Sequence, residues 1–578
     1  MVMRTIWLAV LLVTIPLSAA DADLSGLWRA KRWFGPDARG AVVVEKSGDT
    51  YSADMMGRVV PVRVERGGLS FELPNAMGGF RGKVQKDGDL RGHWYPPNST
   101  PRSFQYAAPL HLKADGAKRW RGELKPFDDT FTFFLMLTRR PDGSLTAFLR
   151  NPERDHGASV GAERLVVDGS AVKLMGRRRG QSEERVVGEG TWDAEREVLT
   201  LNFPWRGGTY DFRRDDDQSE FYARGRNPAR YVYRPPLARA DGWPTGTLDE
   251  ANIDRAAIEK FIQGIVDTPM ESAQTPVIEG VLIARHGKLV LEEYFHGEHR
   301  DKLHETRSAA KSLTATIVGA AIEAGLPVTL STPVYSAMNG GVFPDGLEPR
   351  KRAMTLEHLL TMSSGYFCDD TNDAAPGNED TMLDQPEEPD FYRFTLKVPM
   401  AFDPGQQAVY CSANPNLALG VLSRATGESP MAIFDRLVAT PLKIERYGWF
   451  LDRAGNPYGG GGVHFLPRDF MKLGQLMLNG GTWQGKRILG RDFVGRASSP
   501  LYPLRGLGYG YLWWVTDYPY KDRSVRVFYA GGAGGQSTIV VPELDLVIAT
   551  YGGSYTNGKA AHYISRDLTK NFILAAVR

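Results

Sequence analysis

Thr306-Arg307-Ser308-Ala309-Ala310-Lys311-Ser312-Leu313-Thr314 runs without a break into Ala315-Thr316-Ile317-Val318-Gly319-Ala320-Ala321-Ile322-Glu323-Ala324-Gly325. Leu313, Ile317, Val318 and Ala321 recur at three- and four-residue steps, and no proline interrupts them. The spacing predicts a buried helix from Ser308 that ends at Gly325. Residues three apart on such a helix share a face, so Ser308 and Lys311 should lie side by side at its N-terminus. Backbone N–H groups are unpaired there and the helix dipole favours negative charge. A serine nucleophile needs a nearby base and donors for the oxyanion it generates. The bland alternative is a serine cap beside a solvated lysine, and the rest of the chain has to decide between them.

The chain opens with Arg4, the apolar run Ile6 to Ile15 and the small residues Ser18-Ala19-Ala20, the layout of an export signal over 1–20. We therefore expect an exported protein, periplasmic in a host with two membranes, with no integral membrane segment after cleavage. Lys and Arg number 70 against 68 Asp and Glu, so nothing points to nucleic acid. Cys368 and Cys411 are the only cysteines; they lack zinc-ligand spacing, and no metal or cofactor is expected. In an oxidising compartment such a pair is a disulfide candidate.

From 21 to 239 the pattern is all-β: short runs such as Ala41 to Glu45, Val62 to Glu65, Leu69 to Leu73, Thr130 to Thr138 and Val198 to Phe203, bounded by turn residues. The halves, about 21–115 and 116–239, look loosely repeated. Trp28-Arg29-Ala30 answers Trp120-Arg121-Gly122, and Phe80-Arg81-Gly82 to Trp94 resembles Val187-Gly188-Glu189 to Trp192. Two lipocalin-like barrels are expected, with one larger barrel or a sandwich as alternatives. Arg177-Arg178-Arg179 reads as a solvated hairpin end. A linker at 240–247 leads to an amphipathic helix with Ile258, Phe261, Ile262 and Ile265. A hairpin around Arg285-His286-Gly287 follows, an α+β opening.

Two further stretches give Ser308 company. Tyr410-Cys411-Ser412 stands at a loop-to-helix junction before a helix expected from about Asn416 to Ala425. Tyr529-Ala530-Gly531-Gly532-Ala533-Gly534-Gly535-Gln536 precedes two strands, with glycines that let backbone approach a ligand. In this order the three stretches resemble the serine β-lactamase and penicillin-binding-protein superfamily, in its esterase and 6-aminohexanoate-dimer-hydrolase-like branch. Leu359 to Gly365, Gly459-Gly460-Gly461-Gly462 with Arg468-Asp469, Leu478 to Trp483 and Gly508-Tyr509-Gly510 look like its connecting segments. The resemblance covers 248–578. It implies a multidomain chain whose C-terminal α+β hydrolase sets a helical subdomain beside an antiparallel sheet flanked by helices.

Carried over residue by residue, the resemblance implies Ser308 as nucleophile, Lys311 as base and Tyr410 as proton shuttle. Ser412 takes the third position of the tyrosine motif. Tyr529-Ala530-Gly531 stands where the family has K-T-G or H-x-G, and the N–H groups near Gly532 and at Ser308 would bind the oxyanion. No cation occupies position 529, which argues against anionic β-lactams. If the acidic stretch from Cys368 to Asp390 borders the site, it favours neutral or cationic amides and esters. The expected function is hydrolysis of a small-molecule or short-peptide ester or amide through an acyl-enzyme. A β-lactamase or D-amino-acid peptidase, and an inactive binding or sensor protein, are the alternatives. Cys368 and Cys411 should be joined beside the site.

Overall fold

The computed structural model describes residues 23–65, 67–97, 105–153, 160–177 and 182–578. The expected export signal, and Arg178 and Arg179 of the arginine run, lie outside the described residues. Among the described residues no helix is long and apolar enough to cross a membrane.

The chain divides into two compact units. The first is a closed eight-stranded antiparallel barrel. Its strands are Gly26–Gly35, Asp129–Arg139, Leu145–Arg150, Ala162–Asp168, Ala171–Gly176, Arg185–Asp193, Val198–Phe203 and Gly208–Arg214. Trp28 pairs with Arg214 to close it. Alternate residues point inward along a strand, and Trp28, Phe131, Phe133, Leu135, Leu199, Phe203 and Phe212 fill the interior.

The second unit holds the other β-structure and all the residues proposed for catalysis. Eight strands from Gly40–Ser47 to Arg119–Leu124 follow one another as a meander. Arg119–Leu124 pairs with both Gly40–Ser47 and Gln105–Ala114, closing a second ring. The N-terminal region is thus two lipocalin-like barrels, but not in simple tandem. Strand Gly26–Gly35 joins the strands beyond 129, and the first ring runs past 115 to Leu124.

Gln105–Ala114 has a further partner, Tyr447–Leu451, which pairs with Val463–Phe465, which pairs with His304–Glu305. One hydrogen-bonded sheet therefore runs from the ring to within three residues of Ser308.

The hydrolase sheet has eight antiparallel strands. In spatial order they are Lys288–Tyr294, Ile278–Arg285, Leu546–Gly552, Gln536–Val541, Arg523–Gly532, Trp514–Tyr520, Leu507–Tyr509 and Tyr502–Leu504. His286 and Gly287, at φ +52° and +69°, make the tight turn of the first hairpin. Helix Arg255–Val266 is capped by Asp254, which accepts from the Ala257 N–H. It buries Ile258, Phe261, Ile262 and Ile265 with Ile283, Ile548 and Leu568 in one apolar cluster. A second cluster joins Val540, Val547 and Ala549 to helices Lys311–Glu323, Ala413–Thr426 and Pro467–Leu478. This is the expected helical subdomain beside a flanked sheet.

Candidate active site

Ser308 does not sit on the α-helix itself. Arg307–Ala310 is a 3-10 turn, and the α-helix runs Lys311–Glu323, with Gly325 at φ +70° just past its end. In a 3-10 turn residues three apart eclipse, which brings Lys311 Nζ to 3.0 Å from Ser308 Oγ. Arg307 holds φ +49°, a costly conformation for a residue with a side chain. That turn is pinned from three sides. The Thr306 N–H and hydroxyl both donate to the Val463 carbonyl, at 3.1 and 2.6 Å. A Cβ on Gly532 would lie 2.5 Å from Thr306 O and 3.0 Å from Ala309 N. A Cβ on Gly461 would lie 3.0 Å from Arg307 O. Only glycine lets the two backbones come this close.

Gly531 and Gly532 pair with Ser537 and Gln536, while pairing to Trp514–Tyr520 stops at Tyr529 opposite Trp514. The end of strand Arg523–Gly532 thus runs on, without its other neighbour, against the Ser308 turn. The Gly532 backbone is thus carried against the Ser308 turn.

Lys311 is buried, at 1% exposure, and donates to the Gly460 carbonyl at 2.5 Å as well as to Ser308. Burial by itself disfavours the ammonium. The attraction of Tyr410, then of Glu379 and Asp370, outweighs it and holds Lys311 above the ordinary lysine range. Lys311 Nζ lies 4.9 Å from the centre of the Tyr410 ring. Trp514 stacks on that ring at 5.7 Å, and Arg505 lies over it at 4.3 Å.

Two expected substrate contacts fall below the surface. Ser412 is fully buried, and its N–H and hydroxyl both donate to Asp370, at 2.8 and 2.6 Å, just ahead of helix Ala413–Thr426. The third position of the tyrosine motif is thus engaged with protein rather than open to a ligand. Tyr529 is 2% exposed, joins Ile539 and Tyr518 in the apolar cluster that also holds helix Arg255–Val266, and stacks on Trp514 at 6.4 Å. Burial pushes its hydroxyl up to about 12, so it stays neutral. The strand's alternation turns its side chain into that cluster rather than toward solvent.

Cys368 and Cys411 form a disulfide, with Cα atoms 5.5 Å apart. The bond aligns the two segments in register. The Asp370 N–H donates to the Tyr410 carbonyl at 3.0 Å, and the Asp370 carboxylate holds Ser412 and the Glu379 N–H. Burial and then the charge of Glu379 raise Asp370 above the usual carboxylate range. Glu379 in turn accepts from the Tyr458 hydroxyl at 2.5 Å. The acidic stretch thus borders the site, but its inner carboxylates are engaged with protein donors. Sequence reasoning missed Asp370 as the Ser412 partner. The signal was available, since Asp370 is two residues past one cysteine and Ser412 one past the other. Arg505 carried no such signal.

Among the described residues no cluster of His, Cys, Asp and Glu is arranged to hold a metal. A buried lysine beside a serine, an adjoining tyrosine and a glycine strand pressed on the same turn are the parts of serine acyl transfer. The Beta-lactamase family model matches residues 262–563, more than half of the chain. The chain belongs to the Beta-lactamase family. A 6-aminohexanoate-dimer hydrolase of Paenarthrobacter ureafaciens is 25% identical over 221 residues, 37% of this chain and 56% of the relative. The chain thus spans about half the length of that curated relative. Among solved structures, an octameric penicillin-binding protein homologue from Pyrococcus abyssi matches at 19% identity and a TM-score of 0.42, over 55% of this chain and 79% of that one. A penicillin-binding protein homologue from Caulobacter crescentus matches at 15% and 0.41, over 56% and 99%. The family assignment rests on the family model.

Proposed function

We propose that this member of the family is an exported serine hydrolase that cleaves an ester or amide bond through an acyl-enzyme. The observation that carries the reading is the 3.0 Å contact between Ser308 Oγ and the buried Lys311 amine. Lys311 and Tyr410, hydrogen-bonded to each other, share one proton and act together as the base for Ser308. As Ser308 Oγ bonds to the carbonyl carbon, its proton passes to this pair, leaving a lysine ammonium beside a neutral tyrosine. The carbonyl oxygen becomes an oxyanion held by the N–H groups of Ser308 and Gly532. Tyr410 then hands the proton to the leaving oxygen or nitrogen as the scissile bond breaks. Water repeats the cycle on the acyl-serine and restores Ser308.

In this reading residues 248–578 form the hydrolase domain, 240–247 a linker and 21–239 the barrel region, with 1–20 as the export signal. The Cys368–Cys411 bond supports an oxidising, periplasmic setting. The 6-aminohexanoate-dimer hydrolase relative supports including linear amides among the substrates.

A fluorophosphonate probe should label the native protein and leave Ser308→Ala unlabelled, with turnover reduced to background and the circular dichroism spectrum retained. A labelled Ser308→Ala protein removes Ser308 from the role, and an unlabelled native protein points to the binding or sensor alternative. Because no lysine stands at 529, nitrocefin should be cleaved far more slowly than p-nitrophenyl acetate. Comparable kcat/KM for the two would favour a β-lactamase.

A further inference from the structure

Tyr502–Leu504 and Leu507–Tyr509 form a hairpin at one edge of the hydrolase sheet, and its turn is Arg505-Gly506. Both turn residues are left-handed, at φ +49° and +78°, as a two-residue hairpin turn of this kind requires. Asn, Asp or Gly would adopt the first position at less cost than arginine does. The turn sets the Arg505 guanidinium carbon 4.3 Å from the centre of the Tyr410 ring. Arg505 is exposed, and among the described residues it makes no hydrogen bond or ion pair. The carboxylates bordering the site are spoken for, Asp370 by Ser412 and Glu379 by Tyr458. Arg505 thus keeps one face on Tyr410 and its fork of N–H donors open to solvent.

Ser308 Oγ to Lys311 Nζ is 3.0 Å, and Lys311 Nζ to the Tyr410 ring centre is 4.9 Å. The guanidinium can therefore be no farther from Ser308 Oγ than these two distances and its own 4.3 Å laid end to end. A substrate with several bonds between its scissile carbonyl and a terminal charge covers that reach. The slot where a lysine would supply a cation holds the buried, neutral Tyr529.

We infer that Arg505 is the specificity-determining residue of this site, and that it takes the carboxylate of an ester or amide substrate whose acyl or leaving group ends in that charge. The inference rests on the serine-hydrolase reading of Ser308. It leaves standing the expectation for β-lactams, whose ring holds the carboxylate close to the scissile carbonyl rather than on a flexible chain that can reach Arg505.

The test compares two matched esters, mono-p-nitrophenyl glutarate and p-nitrophenyl butyrate, on native protein, Arg505→Gln and Arg505→Lys. Native protein should prefer the glutarate ester. Arg505→Gln should lower its kcat/KM by about 10- to 100-fold, mostly through KM, as expected for losing a charge-assisted bidentate contact. The butyrate ester should change by less than about threefold. Arg505→Lys should recover part of the loss, since it restores the charge without the fork. An equal loss on both esters would assign Arg505 to holding Tyr410 and overturn the inference, as would an unchanged preference. Fluorophosphonate labelling of the same native sample separates the failures. A labelled protein with no change in preference overturns this inference alone, and an unlabelled one overturns the hydrolase reading with it.

Discussion

Replacing Cys368 and Cys411 together by alanine removes a bond that closes a loop between residues 43 apart. Most of the enclosed stretch is polar, and ordering such a chain is costly in entropy. In the chain-entropy model a closure of this length constrains the unfolded state by about 4 kcal/mol. The structure adds a local consequence. Tyr410 precedes Cys411, its carbonyl accepts from the Asp370 N–H at 3.0 Å, and Asp370 also holds Ser412. Without the bond these contacts alone tie Tyr410 to the loop. Urea titration followed by tryptophan fluorescence should show the catalytic unit destabilised by about 4 kcal/mol. kcat for p-nitrophenyl butyrate should fall by about tenfold or more as Tyr410 loses its place. A loss below about 1 kcal/mol would refute the loop-entropy argument. Full destabilisation with unchanged kcat would refute the link between the bond and Tyr410.

Gly532→Ala puts a Cβ 2.5 Å from Thr306 O, so strand and turn must part. We expect kcat to fall by about 100-fold or more, the scale of a lost oxyanion donor, in steady-state assays, with the overall fold kept by circular dichroism. Lys311→Ala should be nearly as damaging as Ser308→Ala, and the double variant no worse than either, because such groups act as one unit. Asp469 is buried beside Lys472, at 2.5 Å, and burial pushes it up to about 6 from an ordinary 3.8. Its folded state therefore holds a proton that the unfolded state releases. The resulting stability is complete below the ordinary value and lost as pH rises through 6. Native protein should lose about 1–2 kcal/mol more between pH 5 and 7.5 than Asp469→Asn, and equal slopes in urea midpoints would refute this.

The Ser308–Lys311 spacing, the helix stop at Gly325 and the His286-Gly287 turn could be read directly, because each depends on neighbours within a few residues. Hydrophobic periodicity likewise marks helix Arg255–Val266 and the alternating barrel strands. The reading of Ser308 as the first residue of an α-helix missed the 3-10 turn that eclipses it with Lys311. That turn is imposed by Val463, Gly461 and Gly532, residues more than a hundred positions away. Tyr529 was read from its motif as a ligand contact, but which side of a strand is covered depends on what packs there. Here Ile539 and Tyr518 share its side.

What the sequence determined by itself was the chemistry available and the local elements that carry it: a serine three residues before a lysine, a tyrosine at a helix entry, and glycines where backbone must approach backbone. Only the tertiary structure decided which distant segments meet. It joined strand Gly26–Gly35 to strands beyond 129, ran one sheet from the first ring to His304–Glu305, and set Arg505 over Tyr410. Such pairings are selected by the burial and hydrogen bonding of whole strands, summed over the folded chain. No short window of residues carries that sum.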